Sequence, residues 1–194
     1  MITKIINFLF NKFLLNRVEK VIENSFDKML IRGKKENLKL GKNVRIGRRV
    51  EFECKNGTIT IGDNCVIMSD VKILSYGGNI TIGNDVSVNP FSILYGHGGL
   101  IIGNFVRIAN NTVIIPSNHN YSDISKPIYL QGETSIGVKI GNDVWLGSNV
   151  KILDDVIISD GIIVGAGSLV SKSLLDKYGI YFGTPAKFIK YRND

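Results

Sequence analysis

A six-residue period is the feature that most constrains how this chain folds. From residue 140 the sequence divides into the units IGNDVW, LGSNVK, ILDDVI, ISDGII, VGAGSL and VSKSLL. Each unit opens with Ile, Leu or Val, and its fifth residue is usually small or β-branched. This spacing fits neither an amphipathic helix nor an alternating hairpin strand. It predicts a chain that turns a corner every six residues and directs two side chains inward on each side.

The first half of the chain carries the same signal with a longer period. An aliphatic residue followed by glycine recurs at Leu40, Ile61, Ile82 and Ile102. The extra residues in each period have the composition of turns: KNG, YGGN and GHGG. Repeats of fixed period are typical of a solenoid whose units bury a core only by stacking. We therefore predict an all-β solenoid of about six coils over residues 39–175.

The period is interrupted once. The unit that opens at Ile114 is followed by a polar insertion, residues 120–139, before the next unit opens at Ile140. A long loop in a compact fold is usually functional. His119, one of only two histidines, stands at the base of this loop in the last position of its unit. We predict that it faces outward at a corner from which the loop protrudes.

The two ends of the chain are predicted to differ from the solenoid. The segment 1–38 contains an amphipathic helical pattern at residues 2–31, which either caps the open end of the solenoid or contacts a membrane surface. Residues 176–194 predict a turn followed by a short basic C-terminal helix. The N-terminal segment has neither an uninterrupted apolar run nor a cleavage site. With two cysteines in all, we expect a cytoplasmic protein, or one held peripherally at the inner membrane face.

The net charge of +7 is compatible with nucleic acid, an anionic membrane or a phosphate-bearing small molecule. No helix-turn-helix, RNP or zinc-finger spacing occurs, so we expect no nucleic-acid partner.

Several segments together carry a resemblance to a known family. The hexads, NHNYSDISKPI, IGNDVWLGSNV, VGAGSLVSK and GTPAKFIK resemble the left-handed parallel β-helix acetyltransferases over residues 40–192. The galactoside and maltose O-acetyltransferases, with their polysaccharide-modifying relatives, are the most similar branch. The resemblance implies acetyl-CoA as co-substrate, a sugar acceptor, no metal, and a homotrimer with active sites between the prisms.

The resemblance also implies roles for individual residues. His119 matches the catalytic histidine and Asn89 an acceptor-binding residue. Trp145 matches a residue of the cofactor-side unit, and we expect it to bind the substrate, flanking either the sugar or the cofactor. His97 falls where the galactoside enzymes carry an acidic residue, and we expect it to contact the acceptor. The cofactor side is expected at Ala109, Gly147, Ser148, Gly165, Ala166, Lys172, Lys187 and Lys190.

The residues themselves support this chemistry. Histidine titrates near neutrality, so it can accept a hydroxyl proton and pass it to a leaving thiolate. The column Gly47, Met68, Asn89, Ala109, Gly147 and Gly165 is small except at Met68, as a wall for a thin pantetheine arm requires. His119 and the pair Asn89 and Ser148 fall on different edges of the prism. Two adjacent copies could bring them together, and one copy could not.

Other functions stay open at this point. A trimeric metalloenzyme would need a three-histidine site from His97 and His119 of neighbouring chains. A non-catalytic scaffold is a second alternative. Within the enzyme class, the runner-up is acetylation of an amino sugar or of a hydroxylated antibiotic, as in the xenobiotic acetyltransferases. Cys65 and Ser168 are predicted to point inward and are not nucleophile candidates.

Overall fold

A computed structural model describes residues 29–194 of the chain. The predicted helix over residues 2–31 lies almost wholly outside the described residues. Its last two positions do not continue a helix, because strand β1 covers Leu30–Gly33 and pairs with a strand of the next coil. The solenoid therefore begins earlier than residue 39, which is the start predicted from the hexads.

The described chain winds into a prism with three sheets, one on each face, and hydrogen bonds run between successive coils. Face 1 consists of β1 (Leu30–Gly33), β4 (Glu51–Cys54), β7 (Lys72–Leu74), β10 (Ile93–Tyr95), β13 (Val113–Ile114), β18 (Lys151–Ile152) and β21 (Leu169–Val170). Face 2 consists of β2 (Leu38–Leu40), β5 (Ile59–Ile61), β8 (Ile80–Ile82), β11 (Leu100–Ile102), β16 (Val138–Ile140) and β19 (Val156–Ile158). Face 3 consists of β3 (Arg45–Ile46), β6 (Val66–Ile67), β9 (Ser87–Val88), β12 (Arg107–Ile108), β17 (Trp145–Leu146), β20 (Ile163–Val164), β22 (Gly179–Phe182) and β23 (Lys187–Tyr191).

Two further strands lie in the protruding loop, β14 (Asn118–His119) and β15 (Glu133–Thr134). Short 3-10 turns cover Lys35–Asn37 and Ile128–Leu130.

Residues that occupy the same position in successive sequence repeats are paired with each other in the parallel sheets. Leu40, Ile61, Ile82 and Ile102 are successive parallel partners on face 2, and Ile102 pairs in turn with Ile140. The predicted fold class, an all-β left-handed parallel β-helix, is confirmed. The number of coils is about seven rather than about six, because β1 and the C-terminal strands each extend the stack.

The core is a single column of aliphatic side chains inside the prism. Inward residues such as Phe52, Ile73 and Ile108 are fully buried, and each contributes roughly 1.5–3 kcal/mol through burial. Cys65 and Ser168 are also buried, as predicted. Burial raises the pKa of the Cys65 thiol, which makes it a poor nucleophile.

The corners explain why asparagine, aspartate and glycine recur in each hexad. The backbone has positive φ at Asp143, Asn149 and Asp155, and again at Gly161 and Gly167, so the left-handed conformation recurs every six residues. These residue types adopt that conformation at low cost.

We name the three edges of the prism as follows. The loop edge joins faces 1 and 2 and includes residues 75–79, 96–99 and 115–137. The ladder edge joins faces 2 and 3 and includes 83–86, 103–106 and 141–144. The amide edge joins faces 3 and 1 and includes 89–92, 109–112, 147–150 and 165–168.

The C-terminal segment is a correction to the sequence prediction. Residues 179–191 form an antiparallel hairpin of β22 and β23, where a basic helix was expected. Tyr181 is buried against the core, and its hydroxyl donates to Asp176 Oδ2 at 2.6 Å. The ring of Phe188 packs edge-on against that of Tyr181. Aromatic and β-branched residues favour strands, and the added strand covers the open edge of face 3.

Candidate active site

His119 lies at the base of the protruding loop, at the loop edge. The short antiparallel pair β14 and β15 sets His119 directly opposite Glu133. Imidazole Nδ1 is 3.5 Å from Glu133 Oε1, and the His119 side chain is 65% exposed. A carboxylate beside Nδ1 favours the tautomer that carries its proton there, which leaves Nε2 free to accept a proton. The outward position predicted for His119 is therefore observed, and Glu133 is a partner that sequence reasoning missed.

The loop is held in shape by its own polar contacts. The side-chain amide of Gln131 donates to the carbonyls of Asp123 and Lys126, and its oxygen accepts from Asp123 N. Where the loop returns to the prism, the buried Asp154 carboxylate accepts hydrogen bonds from the amides of Ile136 and Gly137. The loop then ends one residue before β16, so residues 138 and 139 belong to the coil and not to the loop. These contacts fix the position of His119.

An open cleft of about 420 Å³ surrounds the histidine. Its lining consists of Asn118, His119, Asn120, Tyr121, Ser122 and Thr134. The cleft is wide enough to admit a small molecule to the imidazole.

The ladder edge and the amide edge differ in whether their backbone N–H groups are hydrogen bonded by side chains. At the ladder edge a corner Asn or Asp side chain accepts from the amide of the coil before it: Asn84 Oδ1 from Asp63 N, Asn104 Oδ1 from Asn84 N, Asn142 Oδ1 from Asn104 N and Asp160 Oδ1 from Asn142 N, each at 2.8 Å. At the amide edge, Ser148 N and Ala166 N have no acceptor within residues 29–194. The amide edge thus presents free N–H donors, which is the property that an oxyanion or a pantetheine amide requires.

The predicted wall of small residues has a packing reason. Gly147 is buried, and a Cβ there would lie 2.6 Å from Ala166 N in the next coil. A Cβ at Gly165 would collide with the ring of Phe182. The amides of Gly147 and Gly165 are both used between coils. Ala109, in the same column, also donates its amide to the next coil, so the free donors at Ser148 and Ala166 come from the position that follows this column.

Asn89 and Trp145 lie away from the loop edge. Asn89 is at the amide edge, where its side-chain amide donates to the carbonyl of Ile108 at 2.8 Å. This contact gives Asn89 a packing role beside the acceptor-binding role that the resemblance implies. Trp145 is on face 3, half exposed, between Arg107 and Ile163 in register.

The lysines expected near the CoA phosphates lie on two elements at the C-terminal end of the prism. Lys172 lies in the turn after β21 at the end of face 1, whereas Lys187 and Lys190 lie on β23 at the edge of face 3. Lys190 Nζ donates to the carbonyl of Asp194. Arg192 is bound to Asp143 at 2.7 Å and to the Gly161 carbonyl.

His97 lies at the loop edge, one coil before His119. Its ring centroid is 5.2 Å from that of Tyr76 and 5.7 Å from that of Tyr95. Glu53, which is buried, lies beneath this group and accepts hydrogen bonds from the amides of Tyr76 and Lys55. Burial by itself raises the pKa of Glu53, but these donors outweigh burial and hold the pKa below its ordinary value.

A single chain therefore brings His97 and His119 to one edge and leaves Asn89 and Ser148 at another. Within residues 29–194, no group of three or more His, Cys, Asp or Glu side chains is arranged to hold a metal ion. None of the helical segments in the described part of the chain has the length and hydropathy of a membrane span.

The fold and this site define a class of protein, and comparison with known proteins identifies it. Residues 137–172 match the family described as bacterial transferase hexapeptide (six repeats). A putative lipopolysaccharide biosynthesis O-acetyl transferase, WbbJ of Escherichia coli K12, is 31% identical over an alignment of 163 residues that covers 78% of this chain and 81% of that protein. The chain belongs to the hexapeptide-repeat acyltransferases.

Two other relatives indicate the range of the family. The galactoside O-acetyltransferase of E. coli K12 is 33% identical over 136 residues, 70% of this chain and 64% of that protein. AntD, an N-acyltransferase from Bacillus cereus solved as a variant with dTDP and coenzyme A, superposes with a TM-score of 0.70 at 29% identity, covering 79% of this chain and 84% of AntD. The chain spans only about half to two thirds of the length of the curated relatives that match first, from 49% to 64%.

Proposed function

We propose that this protein transfers an acetyl group from acetyl-CoA to a hydroxyl group of a sugar, with His119 as the general base. The observation that carries the proposal is the pairing of His119 with Glu133 at the exposed base of the loop. A histidine displayed in this way, with one nitrogen facing a carboxylate and the other free, has the arrangement that a proton-transfer catalyst needs.

The reaction assigns one task to each group. The sugar hydroxyl donates its proton to His119 Nε2 as its oxygen attacks the thioester carbonyl. The C–S bond then breaks, and the imidazolium returns the proton to the leaving thiolate. Glu133 keeps the imidazole oriented and stabilises its positive charge. General-base assistance of this type is worth about 10²–10⁴ in rate.

The acyl donor is proposed to lie along the amide edge. The free amides of Ser148 and Ala166 suit a developing oxyanion and the amides of a pantetheine arm, and Trp145 flanks the same unit from face 3. One donated N–H at an oxyanion is worth roughly 10²–10³ in rate. Lys172, Lys187 and Lys190 are the proposed contacts for the phosphates of CoA.

The site is proposed to be shared between subunits. His119 and Asn89 lie on different edges of one prism, so a neighbouring copy has to present its amide edge to the loop edge of the first. A cyclic homotrimer satisfies this requirement with three equivalent clefts.

The acceptor class rests on the relatives. The names of two of them specify O-acetyl transfer, to a galactoside in one case and in lipopolysaccharide biosynthesis in the other. We favour a sugar hydroxyl of a surface polysaccharide or its precursor. The second candidate is N-acylation of an amino sugar, which the similarity to AntD favours; a hydroxylated antibiotic is a further alternative, because another relative is called a probable macrolide acetyltransferase. In each case the attacking hydroxyl or amine has to lose a proton, which His119 would accept.

Thiol release from acetyl-CoA tests the proposal. The acceptors are methyl glycosides, nucleotide-linked sugars, amino sugars and a macrolide. We expect release with at least one sugar, and we expect His119→Ala to lower it by about 10²–10⁴. Lys126→Ala, which changes an exposed side chain of the same loop, is the matched control and should keep full activity. Full turnover by His119→Ala would contradict the assignment.

A further inference from the structure

Three aromatic side chains meet at the loop edge and take no part in the mechanism above. We call Tyr76, Tyr95 and His97 the aromatic triad. The rings of Tyr76 and Tyr95 are stacked, with centroids 5.7 Å apart and planes inclined by 25°. His97 is tilted against both of them. Tyr76 comes from the second of the three bulged corners in the sequence, and His97 from the third.

The triad lies beside the base that the mechanism uses. The coil that carries His97 is hydrogen bonded to the coil from which the loop leaves, since Gly98 N donates to the carbonyl of Pro116 at 3.2 Å. Gly98 also packs against the returning strand of the loop, where a Cβ would lie 2.7 Å from Gly137 N. Coils of this kind are stacked about 4.8 Å apart. A ligand resting on the triad can therefore reach the cleft around His119.

The corner beneath the triad is rigid. The buried carboxylate of Glu53 accepts from Tyr76 N at 2.9 Å, from Ser75 Oγ at 3.1 Å and from Lys55 N at 3.1 Å. A preorganised aromatic surface loses little entropy when a ligand binds to it.

Two observations distinguish the triad from ordinary packing. Tyr76 remains 49% exposed although its backbone is fixed. His97 Nδ1 is buried and has no hydrogen-bond partner within residues 29–194. Buried polar atoms are normally paired, so an unpaired one calls for an explanation, and a ligand group is one such explanation.

We propose that the aromatic triad is the subsite that binds a pyranose ring of the acceptor. The exposed ring of Tyr76 packs against the C–H face of the sugar, and the Tyr95 phenol and the His97 imidazole bond its hydroxyls, His97 after a small rotation of its ring. Tyrosine combines an apolar face with a polar tip and is suited to this task. The inference deepens the proposed function, since it rests on the acceptor being a sugar.

Sugar binding without any acyl donor tests the inference. Saturation-transfer NMR and titration would use methyl glucoside, methyl galactoside and methyl N-acetylglucosaminide, with free dTMP and UMP as a comparison. We expect the wild-type protein to bind at least one glycoside, and Tyr76→Leu, which removes the ring and keeps an apolar side chain, to weaken binding by about tenfold. Tyr76→Phe should bind within about twofold of wild type. Tyr178→Leu, at a similarly exposed tyrosine far from the loop, is the control and should bind as wild type does.

The inference is overturned if wild type binds none of the glycosides, if only the nucleotides bind, or if Tyr76→Leu binds a glycoside as tightly as wild type does. Should Tyr76→Leu unfold, His97→Ala provides the same comparison, and undiminished binding by it would equally count against the triad. Because no transfer occurs in this assay, its failure is separable from failure of the proposed function, which thiol release by His119→Ala tests.

Discussion

At the scale of single residues, the proposed chemistry depends on His119 and on Glu133, which faces it across the base of the protruding loop. The histidine stands out in the sequence because it is rare and because it ends a regular pattern. Glu133 lies across an irregular loop, and only the antiparallel pairing of β14 with β15 brings it opposite His119. No period connects the two positions. Tyr76 and Tyr95 were missed for a similar reason, since their meeting with His97 depends on two bulged corners and one strand end in neighbouring coils.

Glu133→Gln tests the role of this partner. The amide keeps the shape of the side chain but removes the charge that orients and stabilises the imidazolium, so we expect the turnover number to fall by about tenfold. The KM for acetyl-CoA should not change. Glu36→Gln, which removes an exposed carboxylate of the first 3-10 turn, is the control. Equal activity of Glu133→Gln and wild type would show that the carboxylate has no part in the reaction.

Glu53 predicts a pH dependence of stability. Its pKa is lowered in the folded protein, because hydrogen bonds from Tyr76, Lys55 and Ser75 outweigh the effect of burial. Its stabilising contribution is therefore complete above the ordinary glutamate range and is lost as pH falls through the lowered pKa. Denaturant unfolding of wild type and Glu53→Gln should show a smaller difference in unfolding free energy at about pH 3.5 than at about pH 7. A difference that grew towards acid would contradict the assigned direction.

Among structural elements, the positions and register of the strands could be predicted from the hexads, whereas the conformations of the corners and of the C-terminal segment could not. The hexad positions gave the inward residues and the parallel register, because each face repeats the same two apolar positions. The side-chain ladder of Asp63, Asn84, Asn104, Asn142 and Asp160 has a signal in the sequence, an Asn or Asp two residues after each Ile that ends a face 2 strand. The C-terminal hairpin is predicted as a basic helix because of its charged residues. Its aromatic residues Tyr181 and Phe188, which pack against each other, instead favour strands.

Asn104→Ala tests the ladder. The change removes the acceptor of the Asn84 amide, so we expect a loss of about 1 kcal/mol in unfolding free energy. Asn104→Asp keeps an oxygen at this position and should retain most of the stability. Thr81→Ala, at an exposed site on face 2, should change little. An Asn104→Ala variant as stable as wild type would mean that water replaces the ladder bond without cost.

For the whole molecule, the six-residue period determines the three-sided prism. Within one prism the loop edge and the amide edge are apart, so one chain cannot bring its own His119 to its own Asn89. A repeat gives the number of faces and the edge on which a residue lies, which is why the separation of His119 from Asn89 and Ser148 could be predicted. It does not give the length of irregular ends, so the coil count was one too low. It also carries no information on how edges of different copies meet. That arrangement is the central proposal of this account.

Subunit complementation tests that proposal most directly. His119→Ala lacks the proposed base at the loop edge, and Asn89→Ala lacks the side-chain amide at the amide edge that we propose binds the acceptor; each alone should be nearly inactive. Co-assembly of the two variants in equal amounts should restore about one quarter of wild-type thiol release, because one cleft in four then combines an intact loop edge with an intact neighbouring amide edge. If both residues served one site within a single chain, the mixture would stay as inactive as its components, and the shared site would be disproved.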